Sequence, residues 1–195
     1  MKKSIITGVF GLLLSLSLHA LDAHISYATF KGIDNSNFIE VYLQVKGNSI
    51  TFKKADEVYK AEVAVQLLFL QDDKIIDFDK YILKSPEGLT DIRAGVSLID
   101  MKRLAIPEGE YDLEITLKDL YDPENVAVYN QKVRMGYGDS EVQISDIQLL
   151  EGYAAVEPGS NSLYVKHGYF LKPYTYPVYP SFVNGLTFFA EIYNT

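Results

Sequence analysis

The chain has 195 residues, 48% hydrophobic, 13% aromatic and 23% charged, with a formal net charge of −8 and no cysteine. That is globular material for one domain or one and a half. It excludes disulfides, thiolate metal sites and thiol nucleophiles, and its acidity disfavours nucleic acid and anionic lipid as partners. In chain order, Met1-Lys2-Lys3 is a short basic start, Ile5 to Leu18 an apolar run, and Ala20 the small residue before a cut. A membrane span needs about 20 apolar residues, and this run is shorter. The spacing predicts a signal peptide over 1–20, cleaved after Ala20, and no transmembrane span in the mature chain. The bland alternative is an uncleaved anchor. Loss of Lys2 and Lys3 lowers the net charge from −8 to −10.

From Ala23 onward the hydrophobic period is two, the period of strands. Ile39, Val41, Leu43 and Val45 form one face, against Glu40, Gln44 and Lys46 on the other. This reads as the cleanest half-buried strand. Gly47 to Ser49 is a turn, Ile50 to Phe52 a short return, and Lys53 to Glu57 a charged loop. Tyr59 to Phe69 alternates strictly and ends dry on both faces (Leu68, Leu70), which predicts a central, partly covered strand. Gln71-Asp-Asp-Lys74 closes a hairpin, and Ile76 to Leu83 returns. Ile92 to Leu98 is a further short strand, and Asp100 to Arg103 a single helical turn.

Pro107 and Gly109 then turn the chain into Tyr111, Leu113, Ile115 and Leu117, alternating with Asp112, Glu114, Thr116 and Lys118. A tyrosine at the start of such a strand is the pattern of a tyrosine corner in a Greek-key sandwich. Tyr111 is therefore a structural residue, expected to bond back toward Leu104–Ile106. Val126 to Met135 closes the unit. About eight strands predict an all-β fold, an immunoglobulin-like β-sandwich over 22–136.

Residues 137–140, with Gly136 and Gly138, read as a hinge. A second, incomplete β-sandwich-like unit follows over 141–195. Val142, Ile144, Ile147 and Leu149 change parity, as a bulge would make them. Leu186, Phe188, Ala190 and Ile192 form a last alternating strand. Some 55 residues are too few for an independent sandwich, so the second unit reads as the start of a domain in a longer protein.

Several blocks together resemble the GWxTD domain-containing proteins of Bacteroidetes and related bacteria. They are Leu21 to Phe30, Phe38 to Leu43, Phe78 to Tyr81, Ile99-Asp100, Pro107 to Ile115, Val142 to Ile147 and Leu186 to Asn194. The resemblance implies an exported, multi-domain envelope protein, in the periplasm, at the outer membrane or outside the cell. It implies no reaction. The family's Gly-Trp-x-Thr-Asp motif is absent, since the chain has no Trp.

No residues form a nucleophile elbow or a phosphate-binding loop, so no catalytic residue and no cofactor is expected. His19, His24 and His167 lack ligand spacing and read as surface or rim histidines. The acidic groups Asp72, Asp73, Asp77, Asp79 and Asp119, Asp122, Glu124 lack EF-hand spacing, and Asp77 and Asp79 alternate as on a solvated face, so Ca²⁺ is the minor alternative and no metal is expected. Residues 164–182 hold seven aromatics interleaved with Pro173, Pro177 and Pro180. Tyr174, Tyr176 and Tyr179 are the candidate binding surface there, for a glycan or a protein, against packing between the units. The sequence thus points to a non-catalytic assembly or binding module with an unknown protein or glycan partner. The rivals are a carbohydrate-binding module and an accessory domain of an enzyme whose active site lies elsewhere.

Overall fold

The computed structural model describes residues 20–32, 36–92, 95–138, 140–157, 159–176, 178–181 and 183–195; of the signal peptide expected over 1–20, residues 1–19 lie outside them. Nine strands make the first unit: β1 (Ala23–Lys31), β2 (Asn37–Lys46), β3 (Lys53–Ala55), β4 (Val58–Lys60), β5 (Glu62–Gln71), β6 (Lys74–Lys84), β7 (Ser97–Ala105), β8 (Gly109–Asp119) and β9 (Val126–Met135). Seven of them form two antiparallel sheets, ordered β1-β2-β7 and β6-β5-β8-β9. The remaining two, β3 and β4, pair only with each other. An immunoglobulin constant domain divides seven strands four and three. Here the division is three and four, because β6 returns beside β5 instead of crossing over.

The inward side chains follow from period two. Ile39, Val41, Leu43 and Val45 from one sheet meet Val63, Val65, Leu67, Phe69, Leu113, Ile115 and Leu117 from the other in one buried cluster. Burying each such side chain stabilises by about 1.5–3 kcal/mol. The hairpin at Asp72-Asp73 is as expected. Both residues have positive φ (50° and 60°), the geometry of a two-residue type I′ turn, which Asp tolerates.

Tyr111 is 4% exposed, edge-on to Phe69 at 6.4 Å. Its hydroxyl donates to the Pro107 carbonyl at 3.1 Å, so the acceptor is the corner residue itself and not Leu104–Ile106. A Cβ at Gly109 would come within 3.0 Å of the Tyr111 oxygen, which ties the glycine to the corner.

Three local expectations are overturned. Asp100 to Arg103 is no helical turn; it lies mid-strand in β7, paired with Leu43 to Glu40. The strand expected from Ile92 begins only at Ser97. Its charges sit on both faces because β7 is an edge strand, where Lys102 reaches the Tyr81 ring and Asp79 of β6. Lys53 to Lys60 is the β3–β4 hairpin, not a charged loop, and Tyr59 belongs to it rather than to β5.

The second unit holds β10 (Gln143–Ile144), β11 (Gln148–Ala155), β12 (Val165–Lys166), β13 (Tyr169–Pro173), β14 (Thr187–Phe189) and β15 (Ile192–Tyr193). Its sheets are ordered β12-β13-β11-β14 and β10-β15. The parity change after Ile144 is a passage between these two sheets; the register shift falls later, between Leu150 and Gly152. The single last strand expected is likewise split, into β14 and β15 in different sheets.

Candidate functional site

The strand read as half-buried is buried on both faces. From Ile39 to Val45 every residue of β2 is buried. The face opposite the core carries Phe38, Glu40 and Tyr42, paired across to Ala105, Arg103 and Met101. The second unit covers it. Ala28, Phe30, Tyr42 and Met101 form a second buried cluster, with Phe38, Tyr164 and Phe189 against it.

A charge sits in the middle of this junction. Glu40 is 0% exposed. Its Oε1 accepts from Arg103 Nε (2.9 Å) and Nη2 (2.5 Å), and its Oε2 from the Tyr42 hydroxyl (2.5 Å) and Lys166 Nζ (2.6 Å). Lys166 also donates to Gln148 Oε1 at 2.9 Å and lies over the Phe30 ring at 3.6 Å. Arg103 Nη2 reaches the Leu163 carbonyl at 3.0 Å. Burial costs such ions several kcal/mol each unless all their bonding positions are filled. Here all four lone-pair positions of the carboxylate are taken. Burial holds the Lys166 ammonium below the usual lysine range, against the pull of Glu40. Burial and the adjacent Glu40 carboxylate push the Tyr42 hydroxyl far up.

Further bonds fix the same junction. Thr29 binds the Asp146 carboxylate through its amide (2.9 Å) and hydroxyl (2.8 Å). Tyr137, the first residue of the expected hinge, donates to the Thr29 carbonyl at 2.6 Å and stacks edge-on to Tyr193 at 5.0 Å. The connection is thus tied at its start, and the two units meet through polar and aromatic contacts on both sides of it.

Beside the ion cluster the junction opens into a cleft of about 870 Å³, lined by Phe38, Arg103, Val165, Lys166, His167, Phe189, Glu191, Ile192 and Tyr193 among others. That volume, at a domain junction, is in the range of ligand pockets. His167 stands at its rim because it turns the β12–β13 hairpin with positive φ (49°), followed by Gly168 (81°). Its Nε2 lies 3.0 Å from Glu191 Oε1, whose other oxygen accepts from the Tyr193 hydroxyl at 2.7 Å. The rim histidine is where the sequence placed it. His24 lies on β1, half-buried, with its pKa lowered by burial and then by Lys46.

The candidate tyrosines do come together. Tyr174 and Tyr179 stack face to face at 4.1 Å and 3°, with Tyr176 edge-on to Tyr174 at 5.4 Å and 48% exposed. One face of each stacked ring is thereby used. The acidic clusters behave as local caps. Asp119 is fully buried and accepts from the backbone amides of Thr51, Tyr121 and Asp122, while Asp77 and Asp79 accept from the next residue's amide. Among the described residues no three acidic or histidine side chains are placed to hold a metal ion.

Sequence reading missed Glu40, Arg103, Lys166 and Gln148. The available signal was the aromatic pair Phe38 and Tyr42 on a face read as wet. Neither a family model, nor a curated protein, nor a solved structure matches this chain.

Proposed function

We propose that the chain is a non-catalytic assembly module of an exported envelope protein, an immunoglobulin-like sandwich with a second β unit fixed to it. The export features of residues 1–20 and the resemblance to GWxTD domain-containing proteins support the setting. The observation that carries the function is the exposed apolar surface of the second unit. The cross-strand pairs Ile144–Ile192, in the two-stranded sheet, and Leu149–Phe188, in the four-stranded one, are exposed by 60%, 62%, 37% and 54%, and on the other face of the four-stranded sheet Tyr153 and Tyr169 pair in the open. Exposed apolar surface of this density marks sites that another protein covers. The side chains of Ile144, Ile192, Leu149 and Phe188 carry no hydrogen-bonding group, which favours a protein surface over a glycan.

Photo-cross-linking in the intact envelope tests this. A cross-linking side chain at Leu149 or Ile144 should give a discrete protein adduct, and one at Thr116 or Lys118, on the outer face of the far sheet, should not. Absence of adducts at all four positions contradicts the reading. The gathering of Tyr174, Tyr176 and Tyr179 supports a second reading, carbohydrate binding. Glycan-array binding lost on Tyr176→Ala would favour it, and no binding by the full protein would remove it.

A further inference from the structure

We propose that the cleft between the units binds an apolar carboxylate, held by Arg103 with its hydrocarbon part along Phe38, Phe189 and Ile192. The first reason is charge. Two cations, Arg103 and Lys166, share the single carboxylate of Glu40, so the cluster keeps one positive charge beside the cleft of a chain that is acidic as a whole. Glu191 lines the cleft and bonds His167 and Tyr193, and Lys31 lines it too, so the cations Lys31, Arg103 and Lys166 outnumber the carboxylates Glu40 and Glu191 by one.

The second reason is donor geometry. Arg103 uses Nε and Nη2 on Glu40 and Leu163, while its Nη1 has no partner among the described residues. Its side chain is 30% exposed and lines the cleft. A guanidinium already anchored on one side presents its remaining N–H groups with little entropy left to lose.

The third reason is the wall. Phe38, Val165, Phe189 and Ile192 are apolar, and Arg103 lies over the Phe38 ring at 5.0 Å. Of the side chains that could bond sugar hydroxyls, His167, Glu191 and Tyr193 are bonded to one another and Lys166 to Glu40 and Gln148. That favours a carboxylate on a hydrocarbon body over a polyhydroxylated acid. A bound carboxylate would also favour the charged form of Lys166, which burial disfavours.

Titration of the full mature chain with N-acetylphenylalanine, N-acetylphenylalaninamide and glucuronate, read by amide chemical shifts, tests the site. N-acetylphenylalanine should move the amides of Phe189 and Ile192. The amide analogue should bind about ten- to a hundredfold more weakly, the loss of one charge-assisted hydrogen bond. Arg103→Lys keeps a cation for Glu40 but removes the second nitrogen, and should weaken binding about tenfold. Ile192→Ser is exposed and makes no bond in the ion cluster, so it keeps the test available if Arg103→Lys fails to fold; it should weaken binding several-fold. Equal binding of the amide, equal or better binding of glucuronate, no shift at millimolar N-acetylphenylalanine, or binding untouched by Ile192→Ser would each overturn the proposal.

Discussion

The sandwich and the second unit are built from the same alternating strands, yet they close differently. In the sandwich each inward face meets another inward face, and Leu67, Ile115 and Val45 are at most 2% exposed. In the second unit Gln148 and Lys166 turn inward, onto the sandwich, while Leu149 and Phe188 of the same sheet stay exposed. The sandwich is held by apolar matching, which tolerates many sequences of similar volume. The junction adds to a small aromatic cluster directed bonds to Glu40 and Asp146, which do not. Damage to the first should therefore scale with volume removed, and damage to the second with charge left unpaired.

Glu40→Ala separates the two regimes most strongly. It leaves Arg103 and Lys166 facing no carboxylate, and should cost about 3–5 kcal/mol, measured by urea unfolding. A cost below about 1 kcal/mol, the level of an exposed pair, would put the junction's hold elsewhere. On the sandwich side, Tyr111→Ala should cost about 3 kcal/mol or more through the cavity it leaves. Tyr111→Phe should cost about 1 kcal/mol, the worth of the bond to Pro107. Equal costs for the two variants would mean that packing of the ring contributes little.

Alkaline pH should act on sandwich and junction together. Tyr42, Tyr81, Tyr137, Tyr164 and Tyr193 all have pKa values raised by burial above the usual 10.0. In the folded chain they stay protonated where the unfolded chain ionises. Their contribution is complete below about pH 10 and is lost as pH rises through the raised values. Lys166, with its lowered pKa, works in the opposite direction in the window below the usual 10.5, but it is one group against five. The melting temperature should fall between pH 9 and pH 11, about the ordinary tyrosine pKa. Tyrosine absorbance showing all 15 hydroxyls ionising reversibly in a folded chain would contradict this. The smallest effect belongs to the bare face: Phe188→Ser should change stability by no more than about 0.5 kcal/mol. A loss like that of a core Leu→Ala, about 2–5 kcal/mol, would show that the face is covered.

The sandwich was legible because its strands record their surroundings in period two. The Asp72-Asp73 turn, the central place of β5 and the burial of Tyr111 all follow from local pattern. The junction was not. Glu40 sits where a wet residue sits in a half-buried strand, and what makes it a buried anchor is Lys166, 126 positions away. Edge strand β7 misled for a related reason: its partners on two faces come from two different parts of the chain, so alternation is lost. The tyrosines were read as a cluster, and they are one, but their mutual stacking depends on a fold that composition does not specify.

Nitrogen-15 relaxation of the chain from Leu21 to Thr195 tests the central claim, that Glu40 with Arg103 and Lys166 joins the two units into one body. Amides of β5 and β8 and those of β11 and β13 should report a single rotational correlation time in the wild type. In Glu40→Ala the second set should report a shorter one. Two distinct times in the wild type, or one shared time that survives Glu40→Ala, would contradict the account.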